Sequence, residues 1–414
     1  MRGHPCGSKG GNMAKAAVLG YGTVGSGVVE VLDTNSAEVE ASAGEKVEVK
    51  YILDLRDFPG DKHESQIVHD IEVILNDPEI DVICETMGGL EPAFTFEKRA
   101  LEKGISVCTS NKELVAAHGP ELVRIAKEHN CSYLFEASVG GGIPILRTLN
   151  TSLKHEKIDS ITGILNGTTN YILTKMDRDK IGFATVLKEA QNKGYAERKP
   201  EADIEGYDAC RKTAILASLM SGQYVKYEDI ETEGITKITQ EDFAYARSLG
   251  MSIKLLGMIK KNNSGFFTMV SPFLIPSENP LAFVNDVFNA IVVHGNMLGS
   301  TMYYGKGAGK QATASAVVAD LIDLVIHKGS HMDVNLTDSP ADLSDNGSYV
   351  HRFFVRVDEN SEDQAKELFG SSIEVVESKE VFGEFAFVTD LISEKDFKEK
   401  YAQLVKAKGF LREL

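Results

Sequence analysis

No Cys-x-x-C pair occurs in the sequence, and its five cysteines (Cys6, Cys84, Cys108, Cys131 and Cys210) are scattered. An odd, unpatterned set makes neither a disulfide framework nor a zinc site. Three of the five stand in apolar runs and are expected as small core residues in a reducing, cytoplasmic setting. Basic charge is also short: 44 lysines and arginines face 61 aspartates and glutamates, for a net charge of −17. So acidic a chain is repelled by nucleic acid and by anionic membrane surfaces, and neither is expected as a partner. No apolar stretch approaches the roughly 20 residues of a membrane span. The first dozen residues, MRGHPCGSKGGN, lack an apolar segment too; residues 1–12 read as a disordered extension or vector-derived leader before a natural start near Met13.

What is present is a globular mix, 43% hydrophobic and 25% charged, over 414 residues, enough for two or three domains. From Ala14 the run KAAVLG reads as a short buried strand. VEVKYIL (47–53), DVICETMGG (81–89), ISVCTS and SYLFEAS (132–138) read as further strands, with helices over 91–103 and 112–130 between them. That alternation predicts an α/β fold with a doubly wound parallel sheet over 13–143, rejoined by 305–329. Within the returning segment, 313–328 has helical periodicity and is expected to pack on this domain. Residues 144–304 are β-rich around DSITGILNG, FFTMVSPFLI and NAIVVHGNMLGSTMYYG, with helices near 182–193 and 206–221, and predict a mixed α+β domain. Residues 330–347, rich in Asp, Ser, Asn and Pro, read as a linker. Residues 348–414 then read as a small β-α-β-β-α unit.

Gly20-Tyr21-Gly22-Thr23-Val24-Gly25 follows the first strand and opens a helix. The first glycine permits a tight turn, the second lets the backbone approach a pyrophosphate, and the third lets helix and sheet pack closely. The anion would rest on N–H groups of the helix start, at Thr23, Val24 and Gly25. Cofactor choice hangs on Asp54-Leu55-Arg56-Asp57 after the second strand. An acid there bonds the ribose 2′-hydroxyl of NAD, and an arginine pairs with the 2′-phosphate of NADP. Because side chains alternate along a strand, only one of the two is expected to face the ribose; Arg56 tips the reading toward NADP, a solvated loop charge being the alternative.

Two further segments carry chemistry. Thr109-Ser110-Asn111-Lys112 sits at a strand's carboxyl end, where such sheets bind ligands. Lys112 could donate a proton there, or be an ordinary surface lysine. In GYAERKPEADIEGYDACRK (194–212), Asp208 and Lys212 are spaced i, i+4 on one helical face. The apolar TAILASLM that follows implies burial, which would orient the pair as a proton donor. A helix-start salt bridge beside a solvated acidic loop is the other reading. Glu197, Asp203 and Asp208 could also offset an ammonium group on a substrate.

Together these segments resemble the homoserine dehydrogenase family, over about Ala14 to Lys328. The blocks that carry the likeness are GYGTVGSGVVEVL, ETMGG, TSNKEL, EASVGGGIPI, GILNGTTNYIL, the 194–212 segment and GKGAGKQATASAVVADL. The resemblance implies a Rossmann domain, a catalytic and dimerising domain, and a homo-oligomer, dimer or tetramer. It implies Lys112 and Lys212 as catalytic lysines, with Asp208 positioning Lys212. Glu197 and Asp203 would bind the substrate, helped by Gly167, Thr168 and Tyr195. Thr86, Gly88, Ser110, Lys112 and the 305–309 loop, including Gly307, would lie along the cofactor. The EASVGGGIP turn would hold a monovalent cation such as sodium through Glu136, Val139, Gly141 and Ile143. Three positions depart from the family pattern: Lys199 before Pro200, Lys306 in place of a proline, and Lys310 in place of a glycine. The C-terminal unit resembles an ACT domain without its Pro-Gly turn, which weighs against threonine feedback through it. Two rival readings are an acylating semialdehyde dehydrogenase, which needs a nucleophilic cysteine, and a non-catalytic nucleotide-sensing regulator.

Overall fold

The computed structural model describes residues 13–262 and 265–414; the extension expected over 1–12 lies outside them. The chain divides into two compact units, one running to Asn150 and including Ala308–Asp338, the other Thr151–Gly307 with Ser339–Leu414. Among the described residues no helix is long and apolar enough to cross a membrane.

The first unit is a six-stranded parallel sheet, as the strand–helix alternation predicts. Its strands are β1 (Met13–Leu19), β2 (Lys46–Leu53), β3 (Ile67–Val68), β4 (Val82–Glu85), β5 (Ser106–Thr109) and β6 (Tyr133–Leu134). They lie in the order β3-β2-β1-β4-β5-β6. The central strands are mostly apolar because helices cover both faces. The helices Thr23–Thr34 and Lys310–Ile326 share one core, with Val28, Leu32, Val317 and Leu321 packed around Val18 and Cys84. Strand order reverses at β1, which pairs with β2 on one side and β4 on the other. Ligands bind beyond the carboxyl ends at such a point. Register brings three loops together there: Leu19 pairs with Glu85, and Glu85 with Thr109. Gly20, Thr86 and Ser110 therefore leave the sheet side by side.

The strand expected over 132–138 is cut short. Only Tyr133–Leu134 pairs, and Glu136–Ser138 turns as a 3-10 helix. Glu136 donates its N–H to Asp320 at 2.8 Å and its carboxylate accepts the Leu146 and Arg147 N–H groups, which pulls the chain off the sheet line.

The second unit is built on a ten-stranded sheet. Its strands are β7 (Ile158–Ile164), β8 (Glu231–Thr232), β9 (Met251–Asn262), β10 (Gly265–Pro276), β11 (Phe288–Gly295), β12 (Gly299–Lys306), β14 (Phe353–Asp358), β15 (Glu374–Val375), β16 (Glu384–Val388) and β18 (Ala407–Glu413), with β13 (Val350–His351) and β17 (Ile392–Ser393) pairing separately. The helices Gly167–Asp179 and Tyr207–Ser221 flank it. Gly257 of β9 lets the second of these approach: a Cβ there would sit 2.2 Å from Thr213 Oγ1.

The sequence reading sets 348–414 apart behind a linker over 330–347; in the structure Ser339–Leu414 belongs to the second unit, and the start of the linker to the first. The unexpected strand β18 pairs β14 antiparallel and also meets β10, at Phe273–Arg412 and Leu274–Glu413. Its Arg412 is buried between Glu233, 2.8 Å away, Glu394 and Ser271. The segment read as a linker is bonded as well: Tyr224 N–H donates to Ser339 O, Ala341 N–H to Tyr224 O and Phe266 N–H to Asp342 O.

Candidate active site

Backbone shape dominates the candidate cofactor site of the first unit. Gly20, with φ +89, turns the chain out of β1. The helix Thr23–Thr34 begins at Gly22 with no side-chain cap and no acid in its first turn, so its amino end suits an anion. Nothing lies within 4 Å of where a Gly22 Cβ would be, whereas a Gly25 Cβ would sit 1.9 Å from Gly20 O and 2.7 Å from Thr86 Oγ1. The Thr86 hydroxyl holds this turn, lying 2.9 Å from Leu19 O and 3.0 Å from Gly20 O. Room above the turn and tight packing beneath it fit a dinucleotide pyrophosphate.

Asp54 and Arg56 lie beyond the end of β2, which stops at Leu53, so strand alternation does not decide which of them faces a ribose. The two side chains fold together, Arg56 Nε and Nη2 each 2.9 Å from the Asp54 carboxylate. Asp54 also accepts the Tyr21 N–H at 2.8 Å. The Arg56 guanidinium holds the Asp54 carboxyl well below the usual range. Beside the pair opens a cleft of about 660 Å³, lined by Gly22, Arg56, Lys62, His63 and Lys310 among others. Lys62 and His63 pair with Asp33, and Lys310 with Glu30. The sequence reading passed over Lys62 and His63, because only the fold brings these loop residues to the cleft. Ser110 donates its N–H to Glu85 O at 3.2 Å. Half-buried Lys112 opens the helix Lys112–Glu128, whose start Asn111 caps through the Leu114 N–H.

In the second unit side chains build the site. Lys212 and Asp208 are 8% and 3% exposed, with Nζ 2.7 Å from Oδ2. Nζ also donates to Leu165 O at 2.8 Å. Asn166 joins the cluster: its Nδ2 donates to Asp203 at 2.7 Å and to Asp208 at 2.8 Å, while its Oδ1 caps the helix Gly167–Asp179 through Thr169 N–H. Sequence reasoning passed over Asn166, although an Asn before Gly-Thr at a helix start is a capping signal. Gly167 lies close to the chain, since a Cβ there would be 2.7 Å from Val287 O. Thr168 Oγ1 donates to Tyr195 O at 2.7 Å, and the Tyr195 ring meets Tyr171 edge-on. Glu197 is exposed, its carbonyl held by Gln191 Nε2. So Asp203, Asp208 and Lys212 are brought together and Thr168 meets Tyr195, while Glu197 stands on the surface. Lys112 and Lys212 belong to different units. Gly307, expected along the cofactor, belongs to the second unit and packs on Asn289, whose Nδ2 would be 2.0 Å from a Cβ.

Two models of known families match the chain: homoserine dehydrogenase, NAD binding domain, over residues 20–136, and homoserine dehydrogenase over 144–322. The homoserine dehydrogenase of Bacillus subtilis (strain 168) is 37% identical over 395 residues, 94% of this chain and 87% of that one. That of Pseudomonas aeruginosa is 44% identical over 312 residues, 75% and 72% of the two chains. This chain belongs to the homoserine dehydrogenase family. The crystal structure of a homoserine dehydrogenase from Thiobacillus denitrificans superposes with a TM-score of 0.88 at 34% identity, over 98% of this chain and 99% of that one. A hyperthermophilic archaeal homoserine dehydrogenase in complex with NADPH matches with a TM-score of 0.66 at 28% identity, over 76% of this chain and 98% of that one. A homoserine dehydrogenase is an oxidoreductase; with a nicotinamide cofactor it interconverts the small molecules L-aspartate 4-semialdehyde and L-homoserine, in amino-acid biosynthesis.

Cysteine chemistry of the acylating kind finds no support in Cys108, Cys131 or Cys210. Burial pushes the Cys131 thiol up to about 11 and raises those of Cys108 and Cys210; a nucleophilic thiol needs the opposite shift. In the turn expected to bind a cation, the Glu136 side chain is spent on the Leu146 and Arg147 N–H groups. Gly141 has φ +55, Ile143 donates its N–H to Gly140 O, and Val139 is buried. No group of three or more His, Cys, Asp or Glu able to hold a metal occurs among the described residues. A cation in this turn must rely on backbone carbonyl oxygens.

Proposed function

We propose that this homoserine dehydrogenase reduces the aldehyde by direct hydride transfer, with no covalent enzyme intermediate, and that Lys112 and Lys212 are its candidate proton donors. The buried Lys212–Asp208 pair carries this reading. Held by Leu165 O and Asp208, the ammonium points one way, and loss of water strengthens its field. Lysine Nζ stabilises the oxygen of the reacting carbonyl as it gains charge and passes it a proton; in the reverse direction it takes the proton back. Asp208 positions Lys212. Asp203 and Glu197 offset the substrate's ammonium group, and Gly167, Thr168 and Tyr195 line the same place. A nicotinamide supplies or accepts the hydride. Gly20, Gly22, Thr23, Val24 and Gly25 would cradle its pyrophosphate, with Thr86, Gly88, Ser110 and Lys112 beside it.

NADP is the proposed cofactor, with Arg56 meeting the 2′-phosphate; the guanidinium is exposed at the cleft and would exchange part of its bond to Asp54 for phosphate oxygens. The carbonyls of Glu136, Val139, Gly141 and Ile143 would hold sodium, a hard cation suited to oxygen ligands alone. A homo-oligomer, dimer or tetramer, in the cytoplasm completes the proposal. The test is an absorbance assay of NADPH and NADH oxidation with aspartate semialdehyde. Lys112→Ala and Lys212→Ala should lower kcat by roughly 10²-fold, the scale of general acid catalysis; the role assignment fails if neither does.

A further inference from the structure

Glu85 ends β4 and is fully buried. A carboxylate there is costly unless its lone pairs are taken. Its Oε1 accepts the Met87 N–H at 2.6 Å and faces that of Gly88 at 3.4 Å, and its Oε2 accepts the Thr109 hydroxyl at 2.5 Å. Thr109 Oγ1 in turn accepts the Asn111 N–H at 2.9 Å, and Asn111 Nδ2 donates to Gly89 O at 2.7 Å. One carboxylate thus clamps the loops 86–89 and 109–112. Gly88 and Gly89 have φ of +103 and +74, so local preference alone does not fix the first loop.

A second acid stands behind the first. Glu97, on the helix Ala93–Glu102, is fully buried in company with Glu85, Thr109 and Tyr133. Neither its oxygens nor the Tyr133 hydroxyl completes a hydrogen bond of ordinary geometry among the described residues. Two adjacent buried carboxyls hold a single charge between them. Glu85 has the N–H and O–H donors. Burial raises both carboxyls, but those donors pull Glu85 back down while the Glu85 charge pushes Glu97 further up, so the proton rests on Glu97.

We propose that Glu97 is a positioning residue for the cofactor: as a neutral acid it turns its proton to Glu85 and fixes the carboxylate that clamps both loops. The proposal rests on the assignment of Thr86, Gly88, Ser110 and Lys112 to the cofactor side of the site. Glu97 touches neither reactant; it acts through Glu85.

The test combines fluorescence titration with NADPH, steady-state kinetics and melting curves. Glu97→Met keeps the volume and removes the proton. The Kd for NADPH should rise about tenfold, as for the loss of one bond to a charged group, with the semialdehyde KM within about twofold of wild type. Glu97→Gln keeps an N–H donor toward Glu85 and should recover most of the lost affinity. Thr109→Val opens the clamp from the other loop and should give the same cofactor-selective loss; it decides the matter if Glu97→Met does not fold. A wild-type Kd in the deciding variant overturns the proposal, and so does a folded Glu97→Gln as weak as Glu97→Met, or an equal rise in both constants. Thr86→Val and Lys112→Ala are measured alongside. If Thr86→Val leaves Kd unchanged and Lys112→Ala leaves kcat unchanged, the site assignment itself fails. If those two respond while Glu97→Met does not, only the role of Glu97 falls.

Discussion

In the first unit, the candidate cofactor site is main chain: a turn at Gly20, an uncapped helix start and a Gly25 packed so closely that a methyl group does not fit. In the second, the candidate site is made of side chains, Asn166, Asp203, Asp208 and Lys212, bonded to one another and largely withdrawn from water. A pyrophosphate needs many weak N–H donors and room for the backbone to approach. Proton transfer needs one group held in one orientation, with its charge unscreened. The difference predicts that side-chain truncations hurt the second unit most, and that the first is most sensitive to an added methyl.

The largest effect is expected for Lys212→Ala. It should lower kcat by at least roughly 10²-fold and, by leaving the Asp208 charge buried alone, cost about 3–5 kcal/mol of stability in denaturant melts. A kcat near wild type would reduce the cluster to a structural staple. Gly25→Ala comes next: overpacking of about 1–3 kcal/mol should raise the cofactor KM about tenfold or more, and unchanged cofactor binding would break the backbone half of the comparison. Asn166→Ala removes a cap, at about 1 kcal/mol, and frees Asp203 from Asp208. The semialdehyde KM should rise about tenfold while the cofactor KM holds; a rise in both would blur the division. Arg56→Ala should cut the preference for NADPH over NADH about tenfold with an unchanged Tm, because its side chain is exposed.

The smallest effect contrasts two buried lysines. Lys254 is bonded to Asn170, Val284 O and Asn285 rather than to an acid, and burial depresses its pKa to about 8. Unfolded lysine titrates near about 10.4, so between those values the unfolded chain binds more protons and stability rises with pH. Falling through pH 8, that contribution is lost. Lys254→Met should flatten the rise in Tm between pH 8 and pH 10, and an unaltered slope would show that another group sets it.

Local chemistry was legible in the sequence. The glycine turn sits between a strand and a helix, and Asp208 and Lys212 are one helical turn apart; both are short-range patterns. Asn166 meets Asp203 and Asp208 only because a helix start and an acidic loop fold together, which spacing along the chain does not encode. The Asp54–Arg56 ion pair forms in the turn after β2, and the sequence does not mark where that strand stops. Glu85 and Glu97 were not singled out, because an acid at a strand end or within a helix carries no local mark of burial. β18 was lost in a lysine-rich stretch, since its pairing partners lie far away in sequence.

The position of β18 bears on how the second unit comes into being. Residues 407–413 lie between β10 and β14, and Arg412 fills a place between Glu233 and Glu394. During synthesis β9 and β10 can zip up as a hairpin long before that strand exists, leaving the flank of β10 beside Phe273 and Leu274 waiting. Assembly is then gated by a segment translated more than a hundred residues later, and a chain halted before Arg412 would present an open strand edge to its neighbours.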